Sequence, residues 1–215
     1  MILKKRKMIA LVSLVLAGCN TPHTEQVLKS EKLPALNVVA IDRSGSTLNM
    51  RETQILALKS AFARAADWGE EVAIYMVDRE TTCVYSAKKV SDDSRIPKDV
   101  LKKLKTTEGV RSNRTRPYLF WKEMDKKRLD KNRRMRILYL TDGDNDWKEE
   151  DRLIDKMVRN LSLNKNINVA LLGLNEDAEL RIKSQFSCFE GRVSYFVGKD
   201  KAAISAGISK WRRTK

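Results

Sequence analysis

The chain has 215 residues, 42% of them hydrophobic and 33% charged, which indicates a globular domain of ordinary size and argues against intrinsic disorder. Its 43 Lys and Arg residues exceed its 28 Asp and Glu residues and give a net charge of +15, which should attract anionic partners. The one histidine, His23, precedes the predicted domain, so the domain cannot hold a Ser-His-Asp triad, a Cys-His pair or a histidine-rich zinc site.

Residues 1–18 have the pattern of an export signal. Lys4 to Lys7 are basic, and the apolar stretch Met8 to Leu16 is about half the roughly 20 residues that a membrane-spanning helix needs. The sequence Leu16-Ala17-Gly18-Cys19 resembles the lipobox of bacterial lipoproteins. That resemblance implies cleavage before Cys19 and a diacylglycerol on its thiol, so that the protein is anchored to a membrane without spanning it. The alternative is an ordinary signal peptide with a chance cysteine.

Residues 19–36 are polar, contain Pro22 and Pro34, and are predicted to be a tether that follows the lipidated cysteine. Asn20 follows Cys19, which favours the outer membrane, facing the periplasm, if the organism is Gram-negative. Loss of the four cations in residues 1–18 lowers the net charge from +15 to +11. The anionic partners that such a surface could attract are acidic protein patches, lipid headgroups and nucleic acid.

Short apolar runs alternate with helical patterns from residue 37 to residue 215, the predicted domain. The strands are predicted at residues 37–41, 71–78, 81–90, 135–140, 167–174 and 192–198. Helices are predicted in the intervening segments and after the last strand, with Ile55, Pro97, Pro117, Leu153, Ala178 and Ile204 near their starts. The third strand follows the second too closely for a crossover helix, so these two should pair antiparallel. The pattern predicts a doubly wound α/β fold, with a mostly parallel six-stranded sheet, one antiparallel edge strand and helices on both faces.

Two aspartates are expected at one edge of this sheet. Asp42 ends the first strand and Asp142 the fourth, and these strands are neighbours in the commonest doubly wound order. Ser44 and Ser46 follow Asp42 at alternate positions. Two carboxylates and two hydroxyls form an all-oxygen site, which suits a hard cation: Mg²⁺, with Mn²⁺ or Ca²⁺ as alternatives.

These residues resemble a known motif. Asp42-Arg43-Ser44-Gly45-Ser46 is similar to the D-x-S-x-S motif of the von Willebrand factor A family, and Thr141-Asp142-Gly143 is similar to its later aspartate. The resemblance implies a metal-ion-dependent adhesion site, in which Ser44 and Ser46 bind the metal directly. Asp42 and Asp142 would then act through water or hydrogen bonds. The family's remaining ligand is a threonine before a central helix, here Thr115, with Ser112 as the alternative because the family's preceding glycine is absent.

Each feature has a simpler interpretation. The motif could be a turn in which Asp42 or Ser44 caps the following helix. The rim arginines Arg43, Arg114 and Arg116 are predicted to steer an acidic ligand, or are ordinary solvated charge. The basic run at residues 126–136 has no interleaved aromatic residues, which argues against a nucleic-acid site.

The function predicted from these features is that of a lipid-anchored envelope module, which binds an acidic group of a protein partner through a divalent metal and has no catalytic activity. One alternative is a basic envelope protein that binds nucleic acid or an anionic polymer, for example in the transfer of mobile DNA. A metal-dependent phosphoryl hydrolase is less favoured, because phosphoaspartyl enzymes usually carry an acidic residue where this chain has Ser44. Cys83 and Cys188 are predicted to be buried free thiols at opposite edges of the sheet, too far apart for a disulfide.

Overall fold

The computed structural model of the protein describes residues 34–90, 95–105, 115–129 and 133–213. The export signal, Cys19, nearly all of the tether, Ser112 and Arg114 lie outside these residues, so the interpretations placed on them stay predictions. Across the described ranges, no helix combines the length and the apolar character needed to cross a membrane.

The sheet has the predicted architecture. Its strands are β1 (Leu36–Asp42), β2 (Glu71–Val77), β3 (Thr81–Ala87), β4 (Met135–Leu140), β5 (Ile167–Leu174) and β6 (Val193–Val197). They lie in the order β3-β2-β1-β4-β5-β6, and β3 pairs antiparallel with β2 while all other neighbours are parallel. The chain therefore winds outwards in both directions from β1 and β4, and the order reverses between these two strands.

Helices cover both faces of the sheet. They are α1 (Arg51–Trp68), α2 (Lys98–Lys105), α3 (Pro117–Lys127), α4 (Asp151–Ser162), α5 (Glu176–Gln185) and α6 (Lys201–Arg213). One buried cluster joins the sheet to α3, α4 and α5, and a second joins it to α1, α2 and α6. β1 contributes Val38 and Ala40 to the first cluster and Val39 and Ile41 to the second, and all four side chains are fully buried. A central strand with two buried faces needs this uninterrupted apolar run.

Several local predictions were wrong. The helix expected across Ala178 to Phe189 ends at Gln185, and a 3₁₀ turn (Ser187–Phe189) carries the fully buried Phe189 into the core. Cys83 and Cys188 are free and lie towards opposite edges, but Cys83 is exposed and Cys188 is half-buried. Cys83 is exposed because β3 is an edge strand whose residues are only partly covered.

A group of buried charges joins the strands near their amino-terminal ends, opposite the end where Asp42 lies. Glu70, just before β2, accepts hydrogen bonds from Arg64 at 3.1 Å, Arg136 at 2.8 Å and Asn37 at 2.9 Å. Both arginines are 1% exposed and Glu70 is 6% exposed. One carboxylate thus connects α1, β1, β2 and β4 where water screens the charges poorly.

The substitution Glu70→Gln removes the negative charge that both buried guanidinium groups contact. We expect it to lower the free energy of unfolding by about 3–5 kcal/mol, the usual cost of breaking a buried ion pair from one side. Urea unfolding followed by circular dichroism would measure the loss. The matched control is Glu52→Gln, because Glu52 is 86% exposed and 3.9 Å from Lys201, and it should cost less than about 1 kcal/mol. Equal effects of the two substitutions would contradict the structural role of Glu70.

Candidate metal centre

The predicted site residues meet at the carboxyl ends of β1 and β4. Asp42 is the last residue of β1, and Thr141 and Asp142 directly follow β4, which pairs with β1 in parallel. The loop before α3 reaches the same edge, where the backbone N–H of Arg116 donates to the Asp78 carbonyl after β2 at 2.8 Å. This edge includes the point where the strand order reverses, the usual ligand position in such folds.

The Asp42 carboxylate organises the site. It is fully buried, and its Oδ1 accepts hydrogen bonds from the Ser44 backbone N–H at 2.8 Å and the Thr115 hydroxyl at 2.9 Å. Its Oδ2 accepts a hydrogen bond from the Thr141 hydroxyl at 2.9 Å. These donors belong to three separate segments of the chain, so Asp42 fixes their relative positions.

The electrostatic environment of Asp42 opposes its ionisation. The pKa of Asp42 is raised to about 6, mainly by burial and also by the nearby charge of Asp142, while the hydrogen bond from the Ser44 N–H acts in the opposite direction. Two carboxylates so close together repel each other unless a cation compensates them. The site is therefore electrostatically suited to a positive ion.

Ser44 and Ser46 bring two hydroxyls together at the surface of the site. Their Oγ atoms are 3.0 Å apart, with Ser44 buried and Ser46 exposed. Ser44 precedes a 3₁₀ turn (Gly45–Met50) but its side chain makes no capping hydrogen bond to that turn. Thr47 stabilises the bend, because its hydroxyl contacts the carbonyl oxygens of Asp42 at 2.8 Å and Ser44 at 3.0 Å. The structure therefore does not support a capping role for Ser44.

Thr115, which the family resemblance had indicated, lies beside Asp42. It is 1% exposed, its hydroxyl contacts Asp42, and its backbone N–H donates to Asp146 Oδ2 at 2.6 Å. The second contact ties the loop before α3 to the loop after β4. Two independent hydrogen bonds thus hold Thr115 beside the two aspartate loops.

The Asp142 carboxylate accepts fewer hydrogen bonds than that of Asp42. It is 1% exposed, and its Oδ1 accepts a hydrogen bond from the Asp144 backbone N–H at 3.2 Å. Its Oδ2 is buried without a hydrogen-bond partner among the described residues, although Lys199 Nζ lies 3.6 Å away. The next residue, Gly143, has a φ of +84°, and a Cβ there would lie 2.9 Å from the Ala178 Cβ. The loop therefore requires glycine after Asp142.

These oxygens fit a divalent cation. Within the described residues, no group of three or more His, Cys, Asp or Glu side chains could hold a metal, so any site here depends on hydroxyls. The residues that could hold the ion are Ser44 and Ser46 through their paired hydroxyls, with Asp42, Asp142 and Thr115 around them. The buried Oδ2 of Asp142 is the strongest indication, because a buried carboxylate oxygen without a hydrogen bond is costly. Oxygen-only sites of this kind suit Mg²⁺, Mn²⁺ or Ca²⁺.

The arginines at the rim differ in how they are engaged. Arg43 is half-buried, and its backbone N–H donates to the Val77 carbonyl at 2.8 Å. Arg116 forms a bidentate ion pair with Glu150, with contacts of 2.8 and 3.0 Å from Nε, and its guanidinium lies 5.2 Å from the Trp147 ring centroid. Arg116 thus fixes its own loop, and Glu150 matches its charge.

The rim beside Asp142 is acidic. A cleft there is lined by Asp144, Asp146, Glu149, Asp151 and Asp177, with Lys148 and Arg181 among them. Burial raises the pKa of Asp144, and the charge of Asp142 adds to this effect. The rim of the site thus carries acidic residues on this side, in addition to the arginines that were predicted to steer an acidic ligand.

Sequence reasoning missed several residues of the site. Thr141 belongs to the Thr141-Asp142-Gly143 motif, and a hydroxyl directly after β4 is a signal for a contact with Asp42 at the end of the neighbouring strand. Asp146 and Thr47 act through backbone groups, for which the sequence carries no specific signal. Lys199 lies far from the motif along the chain, and only the tertiary structure places it beside Asp142 and Ser46.

No protein-family model and no curated protein matches the sequence. Solved structures do match. A von Willebrand factor type A protein from Catenulispora acidiphila has a TM-score of 0.57 and 17% identity, over 83% of this chain and 41% of that one. The chain thus spans less than two thirds of that protein.

In two further structures, the match covers a larger share of the solved chain. An aerotolerance-related membrane protein from Bacteroides fragilis, with multiple mutations to serines, has a TM-score of 0.55 and 12% identity, over 83% of this chain and 98% of that one. A manganese-loaded TRAP protein from Plasmodium vivax has a TM-score of 0.56 and 15% identity, over 84% and 74%. Identities this low establish the fold alone, and the fold of this chain is that of a von Willebrand factor A domain.

Proposed function

We propose that this protein is a lipid-anchored module of the bacterial cell envelope that binds an acidic group of a protein partner through a divalent metal. The observation that carries the proposal is the convergence of the Ser44 and Ser46 hydroxyls, 3.0 Å apart, with the buried and incompletely compensated carboxylate of Asp142. The manganese-loaded TRAP protein, which has the same fold, supports the choice of a divalent ion.

Each residue would have a defined part in this binding. Ser44 and Ser46 provide neutral oxygens, and Asp42 holds the Ser44 backbone and the Thr115 hydroxyl in place through its hydrogen bonds. Asp142 provides a second carboxylate that is buried beside them. When bound, a cation with neutral direct ligands supplies an electrophilic position at which a partner's carboxylate can replace water. This is recognition without chemical turnover.

A protein partner fits the surroundings better than nucleic acid does. The acidic cleft beside Asp142 would repel the phosphates of a polyanion that extended across this edge. A single carboxylate carries less charge than a polyanion and is repelled less by that cleft. The alternative function, binding of nucleic acid or another anionic polymer through the basic surface, would have to use a different face.

Removal of the two hydroxyls should weaken metal binding. In Ser44→Ala/Ser46→Ala the affinity for Mn²⁺, measured by electron paramagnetic resonance, should fall at least about tenfold, because both direct ligands are lost. The matched control is Ser86→Ala/Ser209→Ala, which removes two exposed hydroxyls outside the site. If both double variants bind Mn²⁺ like the wild type, Ser44 and Ser46 are not the ligands.

Capture of a partner should depend on the metal more than on salt. In a pull-down from envelope extract in Mg²⁺, we expect a partner protein to bind to the wild type and to be released by EDTA. The same partner should not bind to Ser44→Ala/Ser46→Ala. Binding of nucleic acid or an anionic polymer would instead be lost with increasing salt and would be insensitive to EDTA. A pull-down in which EDTA changes nothing and salt releases everything would favour that alternative.

The membrane anchor can be tested separately from the metal site. The variant Cys19→Ser should move the protein from the membrane fraction to the soluble fraction, because it lacks the thiol that accepts the lipid. Mass spectrometry of the wild type should show a lipid-modified Cys19 at the mature N-terminus. Cys83→Ser is the control and should stay with the membrane. Unchanged fractionation of Cys19→Ser would contradict lipid anchoring.

A further inference from the structure

Lys199 reaches the candidate metal centre from the loop between β6 and α6. Its Nζ donates a hydrogen bond to the Ser46 carbonyl oxygen at 3.2 Å and lies 3.6 Å from Asp142 Oδ2. The Lys199 side chain is 26% exposed, whereas that of Asp142 is 1% exposed. One ammonium group therefore contacts both the motif after β1 and the aspartate after β4.

The loop that carries Lys199 is anchored on both sides. The backbone N–H of Gly198, which has a φ of +97°, donates to the Leu174 carbonyl at the end of β5 at 2.9 Å. Asp200 Oδ1 accepts a hydrogen bond from the Ala203 backbone N–H at 2.8 Å, in the first turn of α6. These contacts hold the backbone of Lys199 close to the site. Its position is thus a feature of the fold and differs from that of a lysine on an open helical face.

The Lys199 ammonium lies beside the Asp142 oxygen that lacks a hydrogen bond. Asp142 Oδ2 is buried without a hydrogen bond among the described residues, so its contact with Lys199 is an ion pair alone. The neighbouring carboxylate of Asp42 adds further negative potential. A divalent cation placed among Ser44, Ser46 and Asp142 would compensate the same charge and would repel the ammonium.

We propose that Lys199 is a built-in counter-ion of this site, which a divalent cation must displace from Asp142 in order to bind. Lys199 keeps Asp142 compensated when no metal is present and lowers the affinity of the site for cations. The inference rests on the proposed function for the identity of the incoming ion. It adds a residue that sets the metal affinity and that lies outside the recognised motif.

The test uses the full chain in detergent, with Mn²⁺ alone as the probe. Lys199→Gln keeps an amide donor for the Ser46 carbonyl but removes the charge, and it should bind Mn²⁺ about tenfold more tightly than the wild type does, a change of about 1.4 kcal/mol. Lys199→Met, also uncharged, should show the same gain. Lys199→Arg retains the charge and should stay within about twofold of the wild type. The control Lys201→Gln removes a cation whose side chain is 73% exposed, and it should change nothing.

A second measurement separates a counter-ion from a steric obstacle. In EDTA, Lys199→Gln should unfold at a lower temperature than the wild type, because Asp142 loses its cation, and saturating Mn²⁺ should raise its unfolding temperature by more than it raises that of the wild type. A side chain that only blocked access would tighten Mn²⁺ binding on removal without lowering the stability in EDTA. That result would overturn the counter-ion role.

The possible outcomes distinguish this inference from the proposed function. Equal Mn²⁺ affinities of wild type and Lys199→Gln overturn the inference and leave the proposed function intact. Binding by Lys199→Gln but not by the wild type supports the inference and overturns metal-dependent recognition by the natural protein. Absence of binding from both overturns both, and weaker binding by Lys199→Gln shows that the lysine assists the metal, which also overturns the inference.

Discussion

The carboxylate of Asp42 is the constraint on which the rest of the candidate site depends. It lies at the end of a strand that is buried on both faces, where a charged group is stable only if donors surround it. The donors come from the turn after β1, the loop before α3 and the residue after β4. One side chain thus connects segments that are distant in the sequence and fixes the positions of the Ser44 backbone and of the Thr115 and Thr141 hydroxyls.

The two serines take their meaning from this arrangement. A serine after a strand commonly caps the helix that follows, but Ser44 makes no such hydrogen bond and its hydroxyl faces that of Ser46 instead. Asp42 has taken over the local stabilisation by accepting the Ser44 backbone N–H. The Ser44 hydroxyl therefore does not cap the turn that follows it. The predicted domain contains no histidine that could activate these serines as nucleophiles, which agrees with the ligand role proposed for them.

Sequence reasoning placed Asp42 and Asp142 at one edge because apolar runs of strand length, separated by helical patterns, leave few topologies. The choice of Thr115 came from the resemblance to the family's threonine before a central helix, and Pro117 indicated where that helix starts. Sequence reasoning could not place Lys199, which is 153 positions from Ser46 and belongs to a loop with no local pattern. The exposure of Cys83 failed for a different reason: the sequence of β3 shows that it is a strand, but not how little of the edge the helices cover.

Among the described residues, the buried charges around Glu70 and those around Asp142 differ in how they are held, and they lie at opposite ends of the sheet strands. At one end, Glu70 receives direct hydrogen bonds from two guanidinium groups and an amide, and its contacts are short and specific. At the other, Asp142 faces its cation at 3.6 Å without a hydrogen bond. Exchange of a partner of Glu70 would break at least one of these buried hydrogen bonds, which suits a structural role. Oδ2 of Asp142 makes no hydrogen bond among the described residues, so replacing one cation beside it with another breaks no hydrogen bond of that oxygen. This agrees with the counter-ion role proposed for Lys199.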